Sequence, residues 1–456
     1  MKGLGRKPAV QRSNVQGVEW PPLVAGQAAV LGALARQLDD SQWLDPDDLE
    51  ARQRGQLAVL AAHCAQYSPF FQRTLKQSRL KPADLGRPGG LARLPVLTRR
   101  QLQSASDIFC SMAPNSHMPV AESRTSGSTG EPVIVRRTTV SGMVQWGFVL
   151  RGYFWHGRDF GDRVCAIRPQ FERVERRPDW GSPANVLFNT GPALNIPIST
   201  DLETQLKLID EFAPNALTIY PSNLIGLARL CAARGADVAS LKLVSSIGET
   251  LSNETRDEVR AVLGVEMIDT YSSQELGCVA IQCAEGGGYH VMAEGLIVEV
   301  LNAEGEACQE EEAGRLVVTD LTNFATPLFR YDVGDWAVPG SACPCGRGLP
   351  TLKSILGRER NLVRFPDGTR RWPLVGFARY RDIAPVVQFQ VVQDGRESLE
   401  LRLVVERPLT EPEEDGIVAH LRETIGYPFN VRLTCFDGAI PPGRGGKFEE
   451  FMCLVD

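Results

Sequence analysis

A run of small and hydroxyl-bearing residues lies in the first third of the chain, within the segment RTSGSTGEPVIVRRT. Ser126, Gly127, Ser128, Thr129 and Gly130 combine hydroxyl groups with glycines, whose backbone can approach a ligand closely. Hydroxyls and backbone N–H groups in such a loop can hold phosphate oxygens. The spacing is not that of a Walker A loop, because no lysine follows the glycines. A phosphate-binding loop is one interpretation of this segment, and a plain flexible loop is the other.

Three further segments carry a charged residue directly after a predicted strand or in a glycine-rich loop. In IDTYSSQELG, the Tyr271 ring can stack on a base and the Glu275 carboxylate can bind Mg²⁺. In PLFRYDVGDWA, Asp335 can accept hydrogen bonds from both hydroxyls of a ribose. In PPGRGGKFEEF, Lys447 can neutralise charge that develops on a phosphoryl or carboxyl oxygen. Taken singly, these segments are also explained as a surface loop, a salt-bridged turn and a solvated tail.

The spacing of cysteine and histidine residues predicts a second kind of site. Cys343 and Cys345 form a tight Cys-x-Cys pair, and upstream Cys283 precedes His290 by seven residues. Three thiolates and one imidazole suit a closed tetrahedral Zn²⁺ site, which is structural because no position stays open for catalysis. Cys278 is the reserve ligand. The alternative is a set of reduced thiols with His290 at the surface.

The whole chain has the composition of a globular protein. Its 456 residues are 43% hydrophobic and 23% charged, with a formal net charge of −6. An acidic chain without a sustained basic run is a poor nucleic-acid ligand, so no nucleic-acid partner is expected. We find neither an apolar run long enough to span a membrane nor the apolar core of a secretory signal. A cytoplasmic location is therefore expected, with most of the cysteines reduced.

The periodicity of apolar residues predicts an α/β fold. Residues 1–24 read as a flexible arm, and 25–76 as helices with apolar residues three and four apart. From about residue 120, β-rich runs alternate with helical ones, which is typical of a mostly parallel sheet. After Tyr289, strand pairs joined by turns predict a small antiparallel, β-barrel-like part. We therefore expect one large domain over 25–356 and a small α+β domain over 357–456.

The order of the motifs is more specific than any one of them. TSGSTGEP, YPSNL, SSIGETL, YSSQELG, RYDVGD, LGR and GGK follow one another, and in this series the sequence resembles the adenylate-forming superfamily. The helical N-terminal part, which ends in LARLPVLTRRQL, and the segment ACPCGRGLPTLKSILGR resemble phenylacetate–CoA ligases and their capsule-biosynthesis relatives. Some members of that branch resemble this chain in the Cys/His arrangement as well. The resemblance covers about residues 25–456.

The resemblance implies an ATP-dependent ligase that activates a carboxylic acid as an acyl-AMP, releases pyrophosphate and passes the acyl group to a nucleophile. Residues 25–356 would bind ATP, Mg²⁺ and the acid, and 357–456 would be a mobile lid. It assigns the ATP phosphates to Ser126, Gly127, Ser128, Thr129 and Gly130, the adenine pocket to Gly248, Glu249, Thr250 and Tyr271, Mg²⁺ to Glu275, the ribose to Asp335 and Arg358, and the bridge between the carboxylate and the α-phosphate to Lys447.

Departures from the family pattern leave the acceptor open. The usual Thr-Glu or Ser-Glu pair is Gln274–Glu275 here, and Arg360 stands where the hinge motif normally has aspartate. CoA is the acceptor in the first hypothesis, and an amine, a hydroxyl or a carrier protein in the second. A non-catalytic nucleotide-binding relative is the third hypothesis, against which the intact Glu275, Asp335 and Lys447 argue.

The position of the acyl pocket is a further expectation from the resemblance. The pocket should be lined by residues between about 146 and 223, together with the Gly-Glu-Thr segment at 248–250. Trp155, Phe188 and Tyr220 are its aromatic candidates, although aromatic residues are also ordinary core. The sequence does not specify which carboxylic acid binds there. A homodimer is expected by analogy with the family.

Overall fold

A computed structural model describes residues 11–18, 20–124, 132–236, 238–358, 361–371, 377–441 and 448–455. The predicted phosphate-loop residues Ser126 to Gly130 and the predicted catalytic Lys447 lie outside the described residues. Among the described helices, each is too short or too polar to cross a membrane.

The N-terminal third is helical, as the spacing of apolar residues predicts. Local capping fixes where several of these helices begin: Asp45 accepts a hydrogen bond from the Asp47 amide, and Thr98 forms a capping box with Gln101. The helices are α1 (Gly26–Ser41), α2 (Pro46–Tyr67), α3 (Pro69–Gln77), α4 (Pro82–Leu85) and α5 (Arg99–Ser104).

The stretch before α1, predicted as part of a flexible arm, is attached to the rest of the chain along residues 11–24. Gln11 forms an isolated β-bridge with Phe188. The Arg12 amide donates to the Leu187 carbonyl over 2.8 Å, and Asn14 Oδ1 accepts from the Ala25 amide over 2.8 Å. These backbone contacts hold the stretch beside the start of α1.

Strands and helices alternate from residue 120 onward, as predicted, and the strands β3, β5, β6, β7 and β8 are parallel to their neighbours in this set. The helices are α6 (Thr139–Trp155), α7 (Ala184–Leu187), α8 (Leu202–Phe212), α9 (Pro221–Arg234) and α10 (Asn253–Leu263). The strands are β1 (Val120–Arg124), β2 (Ile134–Thr138), β3 (Val164–Arg168), β4 (Glu175–Arg177), β5 (Ala193–Pro197), β6 (Ala216–Ile219), β7 (Leu243–Ile247), β8 (Glu266–Ser273), β9 (Gly277–Gln282), β10 (Tyr289–Val291), β11 (Leu296–Leu301), β12 (Gly314–Asp320), β13 (Tyr331–Pro339) and β14 (Thr351–Arg358).

The antiparallel strands after Tyr289 extend this same sheet, where the sequence predicted a barrel-like part. Twelve of the described strands form one sheet in the order β11-β12-β13-β14-β10-β9-β8-β7-β6-β3-β5-β4, and these strands close no barrel. The hairpin of β8 and β9, in which Thr270 pairs with Ile281, joins the parallel half to the antiparallel half. Strand pairs joined by turns have the same local pattern in a barrel and in an extended sheet, so the sequence does not distinguish them.

The C-terminal part has its own small sheet, with strand order β19-β18-β17-β20. Its core includes Phe389, Leu401, Ile417 and Leu421, which are buried between this sheet and α12. The elements are β15 (Val363–Arg364), β16 (Arg370–Arg371), α11 (Phe377–Ile383), β17 (Val386–Gly395), β18 (Ser398–Val405), α12 (Glu411–Ile425), β19 (Asn430–Phe436) and β20 (Phe451–Cys453).

One hydrogen bond and one ion pair join the C-terminal part to helices α9 and α10. Arg229 on α9 donates to the Val387 carbonyl over 2.5 Å and also pairs with Glu258 on α10. Arg381 on α11 reaches the same Glu258 carboxylate at 3.1 Å. The small sheet is therefore held against the helices that cover one face of the large sheet.

Candidate active site and cysteine cluster

The predicted adenine segment follows β7 at the carboxyl edge of the parallel strands, where ligands bind in open α/β sheets. Gly248 has φ +77°, which favours glycine. A Cβ at this position would lie 2.8 Å from Cε1 of Tyr220, so a side chain would collide with that ring. The Gly248 backbone and the Tyr220 ring therefore lie against each other. They are at the edge of the sheet where β8 ends, close to Tyr271.

Glu249 connects three parts of the site. Its Oε2 accepts from the Ser222 amide over 2.9 Å and its Oε1 from the Ser222 hydroxyl over 3.0 Å, at the first turn of α9. The same Oε1 accepts from the Phe448 amide over 2.8 Å. Phe448 directly follows Lys447 in the sequence, so the described chain that begins at Phe448 lies at the 248–250 segment. Sequence reasoning placed Glu249 in the adenine pocket, and the structure adds that its carboxylate anchors these two segments.

The predicted ribose and adenine residues are joined by one hydrogen-bonded group. Asp335 is 7% exposed, and its Oδ2 accepts from the Tyr271 hydroxyl over 2.5 Å. Its Oδ1 lies 3.0 Å from Nε of Arg358, the residue opposite it in the pairing of β13 with β14. Burial and then the Asp335 charge raise the pKa of Tyr271, so its phenol stays protonated and donates. The Asp335 charge likewise raises the pKa of Arg358.

The predicted magnesium ligand Glu275 is buried, with 4% exposure. Arg99, at the start of α5, donates from Nη1 to Glu275 Oε1 over 2.6 Å, and the Tyr331 hydroxyl lies 3.5 Å from the same oxygen. Both contacts use Oε1. A carboxylate that is held by a guanidinium through one oxygen can offer its other oxygen to a hard cation. Sequence reasoning missed Arg99, which lies 176 residues before Glu275.

The residues around the predicted phosphate loop form a hairpin. β1 and β2 pair antiparallel from Val120 with Thr138 to Arg124 with Ile134, so the segment between them starts and ends at one place. Arg137 on β2 donates to the Gln274 carbonyl over 2.8 Å, which brings this hairpin next to Glu275. The strand that follows the phosphate-loop segment is therefore tied to the residue directly before the predicted magnesium ligand.

The four predicted zinc ligands come together. Their ligand atoms all lie within 4.8 Å of one another, with 3.2 Å between His290 Nε2 and Cys345 Sγ and 3.7 Å between the Cys343 and Cys283 sulfurs. Tetrahedral Zn²⁺ with Zn–S bonds of about 2.3 Å places its sulfurs about 3.8 Å apart, so the donor set fits the ion. The reserve ligand, Cys278, is buried in β9 outside this cluster.

The cysteine cluster is tightly packed, both by the backbone around it and by neighbouring side chains. A Cβ at Gly286 would lie 2.5 Å from Cys343 Sγ, so the chain between Cys283 and His290 needs glycine there. Trp155 meets the His290 ring edge-on, with 5.5 Å between the ring centroids. Arg347 and Trp155 both donate to Gln42 Oε1, over 2.7 Å and 2.8 Å. The cluster thus connects α1, α6 and the segment before β14.

Two of the three aromatic candidates for the acyl pocket lie elsewhere. Trp155 packs against His290 at the cysteine cluster, and Phe188 stacks on Phe160 in a separate hydrophobic core, with centroids 4.1 Å apart. Their predicted pocket roles came from position in the chain, which does not fix the direction of a side chain. Tyr220 does lie at the site, against Gly248.

Comparison with known proteins gives consistent matches. The AMP-binding enzyme family matches residues 94–325. The phenylacetate–coenzyme A ligase of Thermus thermophilus is 26% identical over 451 residues, covering 90% of this chain and 98% of that protein. The corresponding Escherichia coli enzyme is 24% identical, with 91% and 97% coverage. The solved structure of a 2-hydroxyisobutyryl-CoA ligase in its postadenylation state, 18% identical, shares the fold with a TM-score of 0.72 over 88% of each chain.

The family match spans more than half of the chain and includes the 248–250 segment, Tyr271 and Glu275, while Asp335 and Arg358 follow it in the chain. The chain therefore belongs to the AMP-binding enzymes, in the branch of the phenylacetate–CoA ligases, and is an ATP-dependent adenylate-forming ligase.

Proposed function

We propose that this ligase activates a small carboxylic acid as an acyl-AMP and then transfers the acyl group to CoA. The observation that carries the first half is the group of Tyr271, Asp335 and Arg358 beside the 248–250 segment, where a nucleoside can be held by its base and its ribose. The relatives compared above are named for CoA ligase activity, which supports CoA as the acceptor.

Each residue has a specific part in the proposed adenylation. An oxygen of the substrate carboxylate attacks the α-phosphorus of ATP, the bond to the β-phosphate oxygen breaks, and pyrophosphate leaves. Glu275 would hold Mg²⁺ against the phosphates, and Arg99 would position that carboxylate. Ser126 to Gly130 would bind the phosphates, and Lys447 would offset the charge where the two anions meet.

The contact between Phe448 and Glu249 supports the lid role proposed for residues 357–456. It holds the chain next to Lys447 at the segment that lines the proposed adenine pocket. In this arrangement the C-terminal part closes over the nucleotide, as adenylation requires. A second pose of the lid would then serve acyl transfer. The domain boundary at Gly357 remains part of this proposal.

We also propose a structural Zn²⁺ at Cys283, His290, Cys343 and Cys345. The distances between the ligand atoms and the glycine beside Cys343 support it. The ion would hold together the cysteine cluster, which packs against Trp155 and Gln42 and lies away from the reacting groups. Thiolate ligands of this kind fit a reducing, cytoplasmic location, and the homodimer remains an expectation by analogy.

A product analysis tests the acceptor. The enzyme is incubated with ATP, Mg²⁺ and phenylacetate, with and without CoA, and AMP and phenylacetyl-CoA are measured by chromatography. CoA transfer predicts AMP release that rises strongly with CoA and equals the thioester formed. AMP release that ignores CoA but responds to an amine such as hydroxylamine would contradict CoA as the acceptor and favour an amide-forming ligase.

A further inference from the structure

The parallel strands of the large sheet have two unlike faces. One face is packed against α8, α9 and α10 and carries fully buried residues, namely Cys165, Leu217, Val244 and Met267. The opposite face is mostly half-buried and carries the residues one position along each strand, namely Ala166, Thr218, Ser245 and Ile268. Because side chains alternate along a strand, these residues share the face of the sheet opposite to α8, α9 and α10, and we refer to this face as the acyl cleft.

Two arginines lie at this cleft. Arg158, in the loop after α6, donates to the hydroxyl of Ser245, and its guanidinium lies 4.8 Å from the centre of the Tyr153 ring. Arg168 ends β3 two residues after Ala166, so it projects from the same face. The Nε atoms of both arginines are buried and have no hydrogen-bond partner among the described residues.

Within the described residues, neither guanidinium forms an ion pair with a carboxylate. Asp162 is the acidic residue whose charge acts on Arg158, and its carboxylate bonds instead to Lys242 at 3.3 Å. Burial lowers the pKa of both arginines, and the Arg168 charge lowers the pKa of Arg158 further. Keeping two positive charges partly buried without a counter-ion costs free energy. This cost indicates a binding site for an anion that neutralises the two guanidiniums.

The arginine pair lies next to the proposed reaction site. Arg168 and Tyr220 are close enough to interact electrostatically, and Tyr220 touches the Gly248 backbone at the nucleotide edge. Tyr153 on α6 lies under the Arg158 guanidinium and interacts electrostatically with Arg168. A molecule that starts at the 248–250 segment and extends along the half-buried face therefore reaches the two guanidiniums. Arg158, Arg168 and Tyr220 fall within residues 146–223, which the sequence assigned to the acyl pocket, whereas Ser245 lies outside that range.

We propose that the acid activated by this ligase carries a second anionic group, which Arg158 and Arg168 bind at the far end of the acyl cleft. This inference rests on the proposed adenylation function and names its substrate class. Guanidinium groups bind oxyanions through paired N–H donors, so a carboxylate is the simplest such group.

The test is acid-dependent ATP–pyrophosphate exchange in the absence of CoA. Dicarboxylic acids from succinate to pimelate, and 4-carboxyphenylacetate, are compared with monoacids of matched length, including hexanoate and 4-methylphenylacetate. We expect kcat/KM for at least one diacid to exceed that of its matched monoacid by about tenfold or more, as one charge-assisted hydrogen bond provides.

Arginine variants locate the preference. Arg158→Met and Arg168→Met should each lower kcat/KM for the preferred diacid by about 10- to 100-fold and leave the monoacid within about threefold. Arg163→Met is the matched control, because Arg163 precedes the same strand, stacks 4.6 Å from the Phe212 ring on the helix-packed face, and also has a buried Nε that finds no partner in the part of the chain that the structure describes. It should leave the preference unchanged.

The outcomes are distinguishable. Exchange with monoacids at least as efficient as with diacids would overturn this inference and leave adenylation intact. The KM for CoA of the arginine variants is measured separately in the complete reaction with CoA, and a change confined to that KM would also overturn the inference, by assigning the pair to a CoA phosphate. Exchange with neither series, in protein that binds ATP, would overturn the proposed adenylation as well. The wild-type preference is measured without any variant, so it does not depend on how the variants fold.

Discussion

Replacing Asp335 by asparagine is the sharpest test of the nucleoside site. The carboxylate is 7% exposed, accepts from the Tyr271 hydroxyl and pairs with Arg358 at 3.0 Å. Asparagine keeps the size of the side chain but removes its charge and turns one acceptor into a donor. In the proposed complex, the two ribose hydroxyls then lose a charged acceptor.

The magnitude follows from the hydrogen bonds involved. A hydrogen bond to a charged group contributes about 1.5–3 kcal/mol and one between neutral groups about 1 kcal/mol. Losing one charge-assisted bond and weakening the other costs about 2–3 kcal/mol, which is about 30- to 140-fold in ATP affinity at 1.4 kcal/mol per tenfold. Folding should suffer less, because Tyr271 and Arg358 keep a polar partner of the same shape.

Calorimetric titration with ATP and the KM for ATP in pyrophosphate exchange measure this effect, while the KM for the acid should stay within about threefold. Asp332→Asn is the matched control, because this half-buried carboxylate lies three residues away on the same strand, accepts from the Gly334 amide over 2.9 Å and lies 3.6 Å from Arg315. Unchanged ATP affinity in folded Asp335→Asn protein would refute the assignment of this carboxylate to the ribose.

Three further predictions concern the cation, the cysteine cluster and pH. Glu275→Gln should lower kcat for exchange about 100-fold and raise the Mg²⁺ concentration needed for half-maximal rate, and an unchanged magnesium titration would contradict its assignment. Cys343→Ser should reduce zinc, measured by atomic emission in purified protein, from about one equivalent to none and lower the Tm, whereas Cys435→Ser on exposed β19 should change neither. Burial lowers the pKa of His156 from 6.5 to about 4, so the neutral form is favoured on folding. This preference for neutral His156 makes the free energy of unfolding depend on pH: at most about 3 kcal/mol is fully present above pH 6.5 and is lost as the pH falls towards 4. In His156→Gln, the free energy of unfolding in urea should depend less on pH over this range.

The sequence was most informative where the cause of structure is local. The capping box at Thr98 and the alternation of strands with helices between residues 120 and 273 could be predicted, because each depends on neighbours within a few residues. The meeting of Cys283, His290, Cys343 and Cys345 was predictable for another reason, since their spacing matches the donor set of one ion.

The remainder depends on contacts between distant parts of the chain. Arg99 is the partner of Glu275 because α5 packs beside β13, and the sequence carried no signal for that pairing. The direction of Trp155, towards His290 and away from the acyl cleft, depends on how α6 lies on the sheet. Arg158 contacts Ser245 from 87 residues away, which explains why the arginine pair was not foreseen.

Acid-dependent ATP–pyrophosphate exchange with Mg²⁺ and without CoA tests the central claim most directly, when wild type is compared with Lys447→Ala and with Arg444→Ala from the same loop. Adenylation at this site predicts exchange that requires a carboxylic acid, falls by at least about 100-fold in Lys447→Ala and changes little in Arg444→Ala. The absence of acid-dependent exchange across the whole panel, in wild-type protein that binds ATP, would contradict the account.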